Sequence, residues 1–350
     1  MQHTRPLHVF PVPSIGSLLA HEKVRLSKPE QVSGYSLHAD GRVAYDQSLL
    51  KELRPAKIGS NLLEGIEGYA ETNEPTPLQP ILDAVQPANR AAHNAAARLT
   101  CPPLPAIDIV TFRNNLNKLL AVRPQHYLLL TRLQTPYNTN NPYAFHVQRR
   151  GRTLFLNIHQ EPPRDGPVHP AQRDGAYAGR RYERLSAAST ASGEYCGVFS
   201  MALGPMQLLV GAELDGVDTR GHYVELKTYR LLESAKDRYS FERYKCLAFW
   251  IQSYLAGVPF IRCGFRNAAY ELRKEQTFET AQLPAFGAKY WQPSACLAFA
   301  KLVLEWLTTH VPDDTDDVFV VEFDPRARQL ALARANLPSF VPTELPPLDG

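Results

Sequence analysis

Four residues stand where they could do chemistry together: Glu213 and Asp215, two apart, and Glu225 and Lys227, again two apart. Each pair lies in a short apolar run, LLVGAELD and HYVELKT. In a β-strand, residues two apart share a face. Each pair therefore projects together, while Leu214 and Leu226 point the other way, into a core. The polar segment between the runs has Gly216 and Gly221 at its ends, which suits a hairpin turn. The pattern predicts a β-ribbon over residues 208–228 with three carboxylates and one ammonium on one face. Carboxylates that close repel one another, and a cleft screens them poorly. A divalent cation such as magnesium, which wants oxygen ligands, relieves that repulsion. Glu213, Asp215 and Glu225 supply oxygens, the Leu226 carbonyl lies between two site residues, and Lys227 is left to stabilise an oxyanion or orient a water. A half-exposed hairpin with a polar outer face would carry the same four residues and do nothing. The surrounding chain has to decide.

The elements that must hold these groups interleave strands and helices, so the expected fold class is mixed α/β. The whole of residues 1–350 reads as one domain, with an irregular leader over about 1–28, a catalytic core over about 108–268 and a proline-rich tail over about 336–350. Residues 34–53 suggest a small β element. A helix is expected from Pro87 onward, through the alanine-rich NRAAHNAAARL. Residues 108–120 space their apolar side chains near the helical period. Residues 143–159 alternate on both sides of Gly151 and predict a hairpin. A proline-rich link over 161–175 precedes a helix over 180–188. The strongest helical stripe, Tyr244, Leu247, Ile251, Tyr254 and Leu255, lies within 237–256 and ends at Gly257 and Pro259. A strand over 260–264 follows. A helix over 294–310 is expected to be capped by Ser294, and a hairpin over 318–323 and 329–333 comes last.

Composition narrows the field. An apolar fraction of 44 % with 10 % aromatics is enough for a packed core. A net charge of +3 argues neither for nor against nucleic acid. The five cysteines, Cys101, Cys196, Cys246, Cys263 and Cys296, contain no CxxC pair, and without a secretory signal they suggest reduced thiols inside a cell. No apolar run approaches the roughly 20 residues of a membrane span. None of the 11 histidines falls in a HExxH spacing, and neither a Walker loop nor a GxSxG elbow is present.

An acid followed by E-x-K on the next strand resembles the restriction-endonuclease-like metal nucleases, which attack phosphorus in line with metal assistance. Further motifs narrow this. Thr111-Phe112-Arg113, Gly179-Arg180-Arg181-Tyr182-Glu183, Glu213-Leu214-Asp215, Glu225-Leu226-Lys227-Thr228 and the run FWIQSYLAGVPFIRCGFRN occur in this order. Together they resemble the DXO-type decapping nucleases, a family that includes fungal nuclear proteins partnering a 5′-to-3′ exoribonuclease.

The resemblance implies a magnesium or manganese site of two ions, held by Glu183, Glu213, Asp215, Glu225 and the Leu226 carbonyl. It implies that Lys227 and Gln252 position the scissile phosphate and the attacking water. Arg113 would hold the RNA backbone, and Cys196, Glu213 and Arg42 would touch substrate. Phe112 and Asn114, which flank Arg113, would also touch substrate, with Phe112 standing where the family's first motif has Trp and Asn114 where it has Gly. The implied activity is removal of NAD caps, unmethylated caps and 5′ triphosphate (as pyrophosphate) from RNA, with onward 5′-to-3′ degradation in some members. It also implies residence in the nucleus, with the cytoplasm as the alternative. A restriction-like DNA nuclease and a non-catalytic partner of an exoribonuclease are the competing readings.

Overall fold

The computed structural model describes residues 6–20, 23–69, 77–100, 102–121, 142–159, 170–189, 192–313, 315–342 and 348. In chain order the elements are β1 (His8–Pro11), α1 (Ile15–Ala20), β2 (Glu30–His38), β3 (Val43–Ala44), α2 (Gln79–Ala84), α3 (Pro87–Ala97), β4 (Ile109–Phe112), α4 (Arg113–Leu120), β5 (Tyr143–Arg150), β6 (Thr153–Ile158), α5 (Pro170–Ser186), β7 (Gly193–Leu203), β8 (Met206–Leu214) and β9 (Val224–Arg230). They continue with α6 (Ala235–Ser240), a π-helical turn (Phe241–Lys245), α7 (Cys246–Leu255), β10 (Phe260–Arg266), β11 (Leu272–Glu279), α8 (Leu283–Gly287), α9 (Pro293–His310), β12 (Val318–Asp324) and β13 (Gln329–Ala335). Among the described residues, no helix is long and apolar enough to cross a membrane.

Two sheets organise the chain, and the class is mixed α/β. Ten strands form one sheet in the order β1-β13-β12-β5-β6-β4-β8-β7-β2-β3, and β11-β10-β9 form the other. At the centre of the large sheet, β4 lies parallel to both β6 and β8. Both faces of this centre are covered. Ile109, Leu208 and Val210 join the core beneath α4, α7 and α9, while Val110 and Leu209, one residue along, join the opposite core with Ile81 and Leu82 of α2. Each such side chain, fully buried, contributes about 1.5–3 kcal/mol. This double burial explains a departure from the sequence reading. Residues 109–112 (IVTF) are all buried, as in a parallel strand covered on both faces, and only from Arg113 does the helical period describe the chain.

The expected 208–228 ribbon is not a hairpin. β8 pairs with β4 and β7, whereas β9 pairs in parallel with β10 in the other sheet. The glycine-bounded segment between them is a crossover. Val217 bridges Glu52 and Tyr223, and Gly216 passes so close to Lys51 that a Cβ would lie 2.4 Å from its carbonyl oxygen.

Smaller corrections follow the same logic. Within the supposed leader, β1 adds to the sheet edge beside β13 and α1 buries Leu18. The helix expected over 180–188 begins earlier, at Pro170, while 161–169 of the preceding link lie outside the described residues, as do Cys101, residues 1–5 and part of the tail. The helix over 237–256 is interrupted by its π turn. Ser294 does not cap α9, because Pro293 takes the first position and Gln292 is the residue before it. The hairpins at 143–159 and 318–335 form as expected.

A third core cluster docks α5 against the small sheet: Ala178 and Tyr182 pack with Val224 and Leu226 of β9 and Leu272 of β11. Gly264 of β10 makes this possible, since a Cβ there would stand 2.8 Å from the Tyr182 ring. The Tyr182 hydroxyl then donates to Glu275 at 2.7 Å, fixing the helix that carries Glu183.

Candidate active site

The site forms where the two sheets meet. β8 of the large sheet ends in Glu213 and Leu214, Asp215 follows directly, and β9 of the small sheet brings Glu225 and Lys227 alongside. As the strand period requires, Leu214 and Leu226 point away, into separate cores. α5 contributes Glu183, the strand-to-helix junction β4–α4 contributes Arg113, and α7 contributes Gln252.

Glu225 is the hub. It is 1 % exposed, and both of its oxygens are engaged. Arg113 Nη1 donates to Oε2 at 3.0 Å, while Lys227 Nζ and Gln252 Nε2 each donate to Oε1 at 2.6 Å. Arg113 also donates to the Gln252 carbonyl at 3.3 Å, so the cation ties α4, β9 and α7 together. Burial alone would raise the Glu225 pKa, but Arg113 and Lys227 overcome it and hold the carboxylate below its usual range. Burial would likewise lower Lys227 and Arg113, yet Glu225 and Asp215 raise both. These charges are desolvated and paired, the condition under which buried ions are tolerated.

Among the described residues, no ion pair or side-chain donor holds the remaining acids. Asp215 is pushed up to about 7 by burial and by Glu225, and Glu183 to about 7 by burial and by Asp215. Glu213 is driven to about 7 by burial and by Glu194 and Glu183. Its side chain is nonetheless exposed, so burial acts on it less than on Asp215, and water screens part of the repulsion. Asp215 is compensated in part by the nearby Lys227 charge and by the Leu226 N–H, which donates to its Oδ2 at 2.5 Å. That bond also orients the backbone. A strand residue aims its N–H and C=O to the same side, so the Leu226 carbonyl faces the free edge of β9, beside Asp215.

This donor set fits a hard divalent cation: carboxylates carrying unbalanced charge beside a backbone carbonyl. The fit is one of chemistry and charge. Among the described residues, no three acidic, histidine or cysteine side chains converge on one coordination point, because the Glu225 oxygens are turned to Arg113, Lys227 and Gln252.

Other expected residues fall into place unevenly. Cys196 pairs across β7–β8 with Glu213 and is buried at 5 % exposure. Burial pushes its thiol up to about 12, so it stays protonated. Asn114 is exposed in the first turn of α4. Phe112 is buried in the core on the α2 side. Arg42 is exposed in the β2–β3 turn, where its N–H donates to Asp40 at 3.0 Å, and among the described residues no hydrogen bond or ion pair joins it to the cluster. Sequence reasoning missed Glu194 and Arg180. Glu194 stands two residues before Cys196 on the same face of β7, a spacing that could have revealed it once the strand was known. It presses on Glu213 and supports the charge of Arg180.

Residues 27–345 match the family model described as RAI1-like PD-(D/E)XK nuclease. The decapping nuclease RAI1 of Scheffersomyces stipitis is 25 % identical, with 88 % of this chain and 89 % of that protein covered. The human decapping and exoribonuclease protein is 30 % identical over 62 % of this chain and 58 % of its own length. The fold matches the crystal structure of Scheffersomyces stipitis Rai1 with (3′-NADP)+ and calcium at a TM-score of 0.71 and 22 % identity, covering 93 % of each chain. It matches Candida albicans Rai1 in complex with pU5 and Mn2+ at 0.69 and 20 % identity, covering 94 % of each. A carboxylate cluster built across two sheets around one E-x-K strand, on a chain matched almost end to end, places this protein in the RAI1-like PD-(D/E)XK nuclease family.

Proposed function

We propose that this protein is a divalent-metal-dependent hydrolase of RNA 5′ ends, removing NAD caps, incomplete unmethylated caps and 5′ triphosphate as pyrophosphate. The observation that carries the proposal is the division of labour in the cluster. Glu225 is locked to Arg113, Lys227 and Gln252, while Asp215 and Glu183 stand charge-stressed beside the Leu226 carbonyl. Glu183, Glu213, Asp215, Glu225 and the Leu226 carbonyl are the groups that would hold Mg2+ or Mn2+. The bound cation supplies Lewis-acid polarisation of the phosphate and a water activated near neutral pH. Lys227 and Gln252 lie within 2.6 Å of Glu225 and supply donors for the phosphate oxygens and the attacking water. Arg113 holds Glu225 ionised and in place. Support for NAD ends, RNA and the metal comes from relatives crystallised with (3′-NADP)+ and calcium and with pU5 and Mn2+.

The test is incubation with triphosphate-, cap- and NAD-ended RNAs plus Mn2+, reading both the small molecule released and the RNA length. Asp215→Ala and Glu225→Ala should each abolish release. Full activity in both variants rejects the reading, and progressive shortening of the RNA adds 5′-to-3′ exonuclease activity to it. Preference for duplex DNA over 5′-phosphorylated RNA would favour a restriction-like nuclease. A 5′-to-3′ exoribonuclease partner and a nuclear setting belong to the same proposal, supported by the family resemblance. Capture of an exoribonuclease by the Glu225→Ala protein tests the first, and fractionation of source cells tests the second.

A further inference from the structure

Among the described residues the two sheets share no strand, yet the acids of the cluster come from both. The spacing between β8 and β9 therefore decides whether those groups can meet on one ion. One tie across the junction is made by the backbone, where the Val224 N–H donates to the Gly216 carbonyl at 2.9 Å. Another is built from side chains. The hydroxyl of Tyr223, two residues before Glu225 on the same face, donates to Gln31 Oε1 of β2 at 2.6 Å. Gln31 Nε2 donates to the buried Tyr195 hydroxyl of β7 at 2.8 Å. Tyr195 in turn pairs across β7–β8 with Leu214, which stands between Glu213 and Asp215.

This chain of hydrogen bonds continues into α3 and runs in one direction. Asn94 Nδ2 donates to the Val32 carbonyl at 3.0 Å, which leaves Asn94 Oδ1 to accept from His93 Nδ1 at 2.9 Å. The network thus assigns the His93 proton to Nδ1, so Nε2 accepts from the Tyr195 hydroxyl, 2.8 Å away. The Gln31 amide is fixed in the same manner, because its Nε2 also reaches the Ser33 carbonyl at 3.2 Å. Turning either amide around leaves its neighbours unpaired. Gly34 makes room for the junction: a Cβ there would stand 2.6 Å from the Tyr195 hydroxyl and 2.8 Å from His93 Nε2. Apolar side chains of the same shape would stabilise the fold about as well. What a satisfied polar chain adds is a single arrangement of the elements it joins.

We propose that Tyr223, Gln31 and Tyr195 are positioning residues, which set the spacing between Glu213–Asp215 and Glu225–Lys227 and, through it, the affinity of the site for Mg2+ or Mn2+. The inference rests on the metal-dependent reading above and extends it to residues outside the carboxylate cluster. The tolerance is small, since a site works only while its groups stay within about 0.5 Å of the productive geometry.

The test is titration of the metal-free protein with Mn2+, following the free ion by its paramagnetic resonance signal. Tyr223→Phe and Gln31→Met each remove one link of the chain. Each should raise the Mn2+ dissociation constant about fivefold, the scale of one lost neutral hydrogen bond. Val321→Ala truncates a buried side chain of β12, four strands along the large sheet from β8. It should lower stability and leave the Mn2+ affinity alone. On triphosphate-ended RNA, the two link variants should lose activity at low Mn2+, regain it at saturating Mn2+ and keep the wild-type KM for RNA. Mn2+ affinity that is unchanged in both link variants, or weakened as much by Val321→Ala, overturns the positioning role and leaves the hydrolase intact. A wild-type protein that binds Mn2+ but is inert on RNA overturns the hydrolase reading and leaves the positioning role standing. A wild-type protein that takes up no Mn2+ overturns both.

Discussion

The two ends of the cluster, Glu213-Leu214-Asp215 and Glu225-Leu226-Lys227, look alike as strings and differ in physics. On β9, Glu225 has more donors than it has oxygens, and its carboxylate is held below its usual range. On β8, Asp215 has one backbone donor and is pushed up to about 7. The same type of group, a few ångströms apart, is in one case charged and satisfied and in the other charged at a cost. Neighbours decide the state of a carboxylate: the first end is balanced by the protein's own cations, and the second carries charge that the protein leaves largely unbalanced.

Removing one carboxylate from each end should separate the two roles. Glu225→Ala strands Arg113 and Lys227 without a counter-charge in a buried setting. It should cost about 3–5 kcal/mol of stability and lower RNA 5′-end hydrolysis by on the order of 10³-fold, the scale of a lost metal and oxyanion environment. Denaturant unfolding and single-turnover kinetics read the two effects.

Asp215→Asn should lose activity on the same scale, yet leave the metal-free protein at least as stable as wild type, because it removes charge that burial and Glu225 oppose. Equal destabilisation by both variants would erase the distinction. The pH dependence follows from the same shift. A carboxyl titrating near 4 in the unfolded chain and near 7 in the folded one means that the native state binds more protons between those values. Stability therefore falls as pH rises through that window. Metal-free protein should melt lower at pH 8 than at pH 5.5, Mn2+ should close the gap, and Asp215→Asn should flatten it.

How much of this was legible depends on whether the signal is local. The acids, Lys227 and the strands that carry them follow from a two-residue period, which any stretch of chain displays. Which strand each would pair with does not. Residues 216–221, with a glycine at either end, look the same as a hairpin turn and as a crossover between sheets. The choice is made by Lys51, Leu53 and Glu52, more than 150 residues upstream, which meet Gly216 and Val217. β4 was hidden because IVTF is buried on both faces and leaves no alternation to read. β11 was missed because its only fully buried side chains are Leu272 and Phe278, the sparse pattern of an edge strand. The family motifs bridged these gaps by naming Glu183, Arg113 and Gln252, but Glu194 lay between motifs and was invisible to both approaches.

Gly264 offers a gentler way to disturb the comparison, since it acts on Glu183 through packing. A Cβ there meets the Tyr182 ring at 2.8 Å and Leu272 at 2.9 Å, so Gly264→Ala must shift α5. Overpacking of this kind costs about 1–3 kcal/mol. The displaced Glu183 should raise the Mn2+ concentration needed for half-maximal activity, while the Arg113–Glu225–Lys227 network, whose hydrogen bonds run between α4, β9 and α7, stays intact. A variant with normal metal dependence and lowered stability would mean that Glu183 is not held by this contact.

The smallest effect is expected at Cys196, which shares the Asp215 side of the cluster and faces Glu213 across β7–β8. Its chemistry is set by the pressure that strains the acids: burial raises the thiol to about 12, far from the range in which cysteines act as nucleophiles. Near neutral pH it should therefore resist iodoacetamide on the timescale that modifies an exposed thiol, with mass spectrometry following the adduct. Cys196→Ser, which keeps size and a hydrogen-bonding group, should lower kcat/KM by less than about tenfold, the scale of one lost neutral contact. Rapid alkylation with parallel loss of activity would require an open, ionised thiol, and would place an electropositive surface where burial and acidic neighbours now hold the proton on. The prediction thus extends the contrast between the two strands to a third ionisable group: on the β8 side, Asp215 and Glu213 are raised to about 7 and carry charge at a cost that a cation would relieve, and a thiol, which such a hard cation does not seek, simply stays neutral.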